Sequence, residues 1–203
     1  VRDLKALIEA QGVVAEEPPG LGTRILAELT ERVGALSEQL VLAAAVVFDL
    51  PAVLAALRDR MLELAAHSTR GAHPYLVPPA HTERARKVMG PDAWLCPEQM
   101  VLRETDPEKA RAIARANLQV YVGLPNYQNN LLQFGFTPQD FEDGGSDHLV
   151  DEIVAWGDTE QIRARIQAHW DAGADHVCIQ AFRPDGAPGP DEALLEDLAP
   201  NRG

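Results

Sequence analysis

The stretch from Asp147 to Phe182, DHLVDEIVAWGDTEQIRARIQAHWDAGADHVCIQAF, decides the fold class. It reads as helix, turn, helix, turn, strand. Asp158 is placed to cap the second helix with Gln161 three residues on, the capping-box spacing, and Ile162, Ile166 and Trp170 repeat at four-residue intervals on one helical face. Gly173 suits the left-handed position that ends a helix, and His176 to Phe182 has the length and β-branched content of a buried strand. A helix feeding a short buried strand is an α/β unit, so further units are expected upstream.

They are there. Ala52 to Leu57 is an apolar run followed by strong helix formers from Arg60 to Ala66. Ala72 to Val77 reads as a strand ending at Pro78-Pro79, with Pro74 inside it as the mark of an edge or bulge, and His81 to Met89 reads as a helix. Gln99 to Leu102 is a third strand; Thr105-Asp106-Pro107 then caps a long helix from Glu108 to Val122. Gly123 to Ser146, rich in amides and aromatics, interrupts the rhythm as a pocket-capping insertion or a surface excursion. Pro184 to Pro190 is a Gly/Pro loop and Glu192 to Leu198 a final short helix. Residues 1–50 suggest short helices around Leu4 to Ile8 and Ile25 to Val33, with Leu40 to Phe48 open between strand and helix. Four strand–helix units joined by right-handed crossovers make a parallel sheet covered by helices, and ligands of such sheets bind at the carboxyl ends of the strands. Those ends fall at Leu57-Arg58-Asp59, Val77-Pro78-Pro79, Arg103-Glu104-Thr105 and Ala181-Phe182-Arg183.

A length of 203 residues with 46% hydrophobic content bounds the chain to one domain, or one plus an appendage, with a sizeable core. The net charge of −13 and the lack of any basic run exclude a nucleic-acid partner or an anionic membrane surface. The two cysteines, Cys96 and Cys178, have no metal-ligand spacing, which points to a reducing, cytoplasmic setting and to no metal. No segment reaches the ~20 apolar residues a membrane helix needs. Walker, G-x-G-x-x-G, G-x-S-x-G and H-E-x-x-H motifs are absent from the sequence. His67, His148 and His169 sit in predicted helices, on solvated faces; His73 and His81, in or just after a strand, are the pocket candidates.

GAHPYLVP from Gly71, CPEQ from Cys96, LPNYQNN from Leu124 and WGD followed by AGADHVC make up the most specific pieces of a pattern running from about Pro51 to Phe182. The pattern resembles the luciferase-like monooxygenase superfamily, and within it the oxidoreductases that use the deazaflavin coenzyme F420. The resemblance implies a (β/α)8 barrel with the cofactor lying across the carboxyl ends of its strands and exchanging a hydride with a small-molecule substrate. The four units of residues 51–203 correspond to the last four of eight, a partial or truncated barrel, and residues 1–50 form an N-terminal helical segment that is not family-like. Catalytic residues remain unassigned. The turn after the family's fifth strand, which approaches the cofactor phosphate, matches Leu57, Arg58 and Asp59, and the substrate pocket falls to His73, Tyr75, His81, Asn126, Tyr127 and Gln180.

In the family that turn usually reads Ala-x-Gly-Pro. Here glycine and proline are missing and Asp59 brings a negative charge to a place meant for an anion, with Arg58 as a partial offset. The chain alone is therefore expected to bind F420 weakly or not at all. Two alternatives stand beside hydride transfer by deazaflavin: an FMN-dependent monooxygenase of the same superfamily, and a half-barrel without activity serving as an interaction module. A four-stranded piece has two open sheet edges, which the N-terminal helices or another chain, such as a homo-oligomer partner, must cover.

Overall fold

Strands and helices alternate as β1 (Val53–Leu54), α1 (Asp59–Ser68), β2 (Gly71–Ala72), α2 (Pro79–Met89), β3 (Trp94–Leu95), β4 (Glu98–Leu102), α3 (Pro107–Val122), α4 (Pro125–Leu131), α5 (Asp147–Ile153), β5 (Val154–Trp156), α6 (Thr159–Asp171), β6 (Cys178–Phe182) and α7 (Glu192–Leu198). The structure, a computed structural model, describes residues 52–199; the helices expected before residue 51 and the open question over Leu40 to Phe48 lie outside the described residues. Sequence sets the helix starts. The Asp106 carboxylate accepts from the amides of Glu108 and Lys109 with Pro107 in the first turn, and Asp158 and Gln161 close the capping box on α6.

Every strand pair is parallel. One sheet runs β1-β2-β3 and the other β5-β4-β6. The two are linked along one path, because Cys96 donates its amide to the Ala72 carbonyl and Glu98 to that of Pro74, each at 2.9 Å, so Trp94 to Leu102 is a single strand track bent at Pro97. The result is a series of staves, β1, β2, β3–β4 and β6, with β5 laid against the upper part of β4.

Alternation sorts the two faces. Leu54, Ala72 and Leu95 pack with Leu62 and Ala65 of α1 and Ala85 and Met89 of α2. Val101, Ala155 and Ala181 pack on the same side with Ile162 of α6 and Leu194 and Leu198 of α7. Met100, Leu102 and Phe182 point the other way, against Ala110, Ala114 and Leu118 of α3 and Leu149, Val150 and Ile153 of α5. The chain leaves β4 and comes back to β5 on the side of β2, against the direction of the other steps, and a right-handed crossover in that direction must place its helices on the opposite face.

Two expectations need correction. The described residues hold six strands rather than four: Trp94–Leu95 falls in a stretch given no element from sequence, and Val154–Trp156 in one read as helix and turn. The strand expected over Ala72 to Val77 is regular only at Gly71–Ala72: Pro74 has no amide to give the ladder, and Leu76 turns to a left-handed φ of 57°. The Gly123 to Ser146 insertion is largely helical, with 3-10 turns at Leu132–Phe134 and Pro138–Gly144 after α4. Gly71 has a separate reason for being glycine, because a Cβ there would lie 1.8 Å from the Trp94 carbonyl oxygen.

Candidate active site

Tyr75, Glu98 and Cys178 lie at one level of three neighbouring staves, on the face away from α1, α2, α6 and α7. Glu98 and Cys178 are register partners, as are Met100 and Gln180 one step further on. The C-terminus of α3 brings Tyr121 to this face, and the start of α4 brings Tyr127. The three tyrosine rings pack with centroids 5.2, 6.3 and 5.8 Å apart. The Tyr75 hydroxyl donates to Gln180 Oε1 at 2.7 Å and stands 3.2 Å from the Tyr121 hydroxyl. Burial pushes the Tyr75 hydroxyl far above the usual tyrosine range, followed by its bond to Tyr121 and the nearby Glu98 charge, so it acts as a neutral donor.

Glu98 is the unusual member. Its side chain is 5% exposed, Oε2 accepts only a long 3.5 Å bond from the Leu76 amide, and Oε1 has no partner. Burial raises its pKa to about 8, against which the Leu76 amide works weakly, so the carboxyl is protonated at neutral pH. Leu76, which presents that amide, is one of two non-glycine residues at positive φ among the described residues, and strain of this kind persists where the surroundings enforce it. His73, on the same strand, donates Nδ1 to the Cys96 carbonyl at 2.7 Å.

A second cluster gathers at the carboxyl end of β1. His81 is 1% exposed and donates Nε2 to the Leu57 carbonyl at 2.7 Å, leaving Nδ1 without a partner. Burial lowers its pKa, with the Leu57 bond opposing, so the ring is neutral. Asp59, first residue of α1, is paired with Arg84 of α2 at 2.8 Å, and Arg84 also bonds Gln133 and lies over the Phe134 ring at 5.9 Å. Arg58 is exposed and its carbonyl starts α1 by accepting from Met61 and Leu62.

Of the residues singled out in the sequence, Tyr75, Tyr127 and Gln180 thus meet in one cluster and Leu57, Asp59 and His81 in another, while Asn126 is exposed on α4 outside both. Sequence reasoning passed over Glu98 and Tyr121. Glu98 gave no local signal, standing between Pro97 and Gln99 at the start of the expected strand. His169, expected on a solvated face, is fully buried: its Nε2 donates to Gln99 Oε1 at 3.0 Å and its Nδ1 receives the Thr82 hydroxyl at 2.8 Å, tying α6, β4 and α2 together. Among the described residues no group of histidine, cysteine and acidic side chains could hold a metal ion, and no helix is long and apolar enough to cross a membrane.

No protein-family model matches the sequence, and no curated protein does. Solved structures match by shape. An F420-dependent secondary alcohol dehydrogenase in complex with an F420-acetone adduct superposes with a TM-score of 0.51 at 13% identity over 74% of this chain and 48% of that one. The coenzyme F420-dependent tetrahydromethanopterin reductase of Methanopyrus kandleri gives 0.46 at 14% identity over 72% of this chain and 48% of its own. The chain spans about half the length of the solved structures it matches. With its parallel staves, its helices and that likeness, the described part of the chain has a parallel α/β fold shared with part of that dehydrogenase.

Proposed function

We propose that this chain takes part in hydride transfer between deazaflavin coenzyme F420 and a small organic substrate at the Tyr75–Glu98–Gln180 cluster, on the face away from α1, α2, α6 and α7. The observation that carries the reading is the protonated, half-satisfied Glu98 beside the Tyr75–Tyr121–Gln180 bonds, on the face a barrel turns inward. The dehydrogenase of matching fold supports the choice of cofactor. A carbonyl carbon that receives a hydride needs a proton on its oxygen, and a carboxylic acid that holds its proton to about pH 8 gives it up at the moment negative charge develops there. The reverse reaction returns the proton to the same oxygen of Glu98. Tyr75 and Gln180 orient the substrate oxygen by hydrogen bonding. When bound, the deazaflavin supplies the hydride chemistry, and the chain supplies placement and a dry surface.

Fluorescence titration of the purified chain with F420 tests the reading. Saturable binding is expected at concentrations above about 1 μM, because a half-built pocket gives less than the roughly 8 kcal/mol that micromolar affinity represents. A flat titration up to about 1 mM, some 4 kcal/mol on the same scale, overturns the cofactor assignment. Saturation by FMN in its place transfers the assignment to the flavin monooxygenase reading.

A further inference from the structure

Leu76 is 1% exposed and holds a left-handed φ of 57°, a conformation uncommon outside glycine that persists where the surroundings impose it. Its place in the sheet shows what the turn does. On the β2 side of the Trp94 to Leu102 track the bonds follow the parallel pattern: Trp94 donates to the Arg70 carbonyl, Cys96 to that of Ala72 and Glu98 to that of Pro74. The same pattern returns an amide to the carbonyl of each of these residues, from the position two after its acceptor. For Cys96 that position is Pro74, which has no amide, and the His73 ring stands in, with Nδ1 donating to the Cys96 carbonyl at 2.7 Å. For Glu98 it is Leu76. The left-handed turn takes the Leu76 amide away from the Glu98 backbone and brings it to the Glu98 side chain, 3.5 Å from Oε2.

A protonated carboxyl has one oxygen that accepts and one that donates. An amide aimed at Oε2 makes that oxygen the acceptor, and the proton is left to Oε1, which has no partner. We propose that Leu76 is a positioning residue that decides which oxygen of Glu98 carries the proton, the amide turned out of the ladder claiming Oε2 and leaving Oε1 to face a ligand. The length of the bond suits the task, since a short bond from the amide would favour the ionised form and discharge the acid. Tyr75, between Pro74 and Leu76, reaches Gln180 at 2.7 Å. Three consecutive residues thus serve one acid: Pro74 holds its main chain, Leu76 its acceptor oxygen, and Tyr75 supplies the hydroxyl beside it.

The sheet gives the turn a reason. From Met100 on, the side of the track that β2 occupied belongs to β5, with Met100 opposite Val154 and the Gly157 amide on the Leu102 carbonyl at 3.2 Å. The second stave must therefore leave the sheet at Glu98, so the acid stands where one partner strand gives way to another. The Leu76 side chain joins the core cluster that includes Met100, Leu118 and Leu131, which anchors the turn.

NMR of the full chain without cofactor tests this. The proposal rests on the hydride-transfer reading only for where the Oε1 proton goes, so either can fail without the other. The titratable side chains facing Glu98 are Tyr75, Tyr127 of α4 and Cys178 of β6; burial, first of all, raises each above its ordinary value, so of the four only Glu98 titrates near pH 8. The Leu76 amide proton should move downfield together with the Glu98 carboxyl carbon as the pH passes through that value, because an ionised Oε2 accepts more strongly. Glu98→Gln should abolish the movement. Leu76→Ile keeps the bulk of the side chain but branches at Cβ, which the left-handed region resists, whereas Leu76→Gly gives up the bulk and takes that region freely. The glycine variant should therefore lose more of the urea midpoint yet keep the amide of residue 76 coupled to Glu98, and the isoleucine variant should lose the coupling. A wild-type amide that stays still while Glu98 titrates overturns the proposal, as does an isoleucine variant that remains coupled. Those two measurements decide it even where the glycine variant does not fold.

Discussion

Glu98 and His169 bend the pH dependence of stability in opposite directions. His169 has its pKa lowered from 6.5 to about 4, first by burial and then by nearby Arg165 and His81. Between those values the unfolded chain binds more protons, so stability rises with pH up to about 6.5 and is then fully present. Glu98, raised from 4.5 to about 8, does the reverse: the folded chain holds the extra proton, and stability falls as pH climbs through that range. Each effect is bounded by a few kcal/mol, at ~1.4 kcal/mol per unit. The wild-type urea midpoint should therefore change little between pH 4.5 and 6.5 and drop between 6.5 and 8. Glu98→Gln, a neutral stand-in for the protonated acid, should abolish the drop; a variant that still loses stability there assigns it to another group. His169 was legible in principle. It stands seven residues after Ile162, on the stripe completed by Ile166, whereas Trp170, given to that stripe by the four-residue count, is 42% exposed. Glu98 was hidden because a single acid at a strand start looks like any solvated strand end until the opposite face is known to be covered.

At the scale of elements, the turn between β1 and α1 works as a latch. Leu57 is held to α2 by His81, and Asp59 by Arg84. The negative charge that seemed to oppose an anion is thus already matched by Arg84, the cation a phosphate would meet in the hydride-transfer reading. The pair is more than a third exposed on both sides, so its loss costs no more than about 1 kcal/mol. Proline is well tolerated at the first helical position, which is where Asp59 sits. Arg58→Gly with Asp59→Pro should therefore keep the fold, release Arg84 and tighten F420 binding a few-fold in the fluorescence titration. Adding Arg84→Ala should cancel the gain; tightening that survives it places the phosphate elsewhere. The helices α3 and α6, with caps visible at Asp106-Pro107 and at Asp158 with Gln161, were readable from sequence because their signals are local. β3 and β5 were not, since two or three residues have no measurable period, and only the ladder formed with a distant strand distinguishes them from loop or helix.

For the whole molecule, the alternation of strand and helix was legible and the order of strands was not. Nothing in the spacing of Val154 to Trp156 says that the chain turns back to the β2 side of β4 before stepping across to β6. That reversal sets how far apart in sequence the paired segments are. His73 and Cys96, in the first sheet, are 23 residues apart. Gln99 and Ile153 beside β5 are 54 apart, and Leu95 and Asp175 at the approach to β6 are 80 apart. Loops that must close over longer distances cost more entropy before any contact rewards them. During refolding, β1 to β3 with α1 and α2 should gain amide protection first, and the Cys178 to Phe182 amides last, as pulse-labelled hydrogen exchange would resolve. On a ribosome the delay becomes vectorial: a nascent chain carries β4 with its β6 side bare until the last stave emerges.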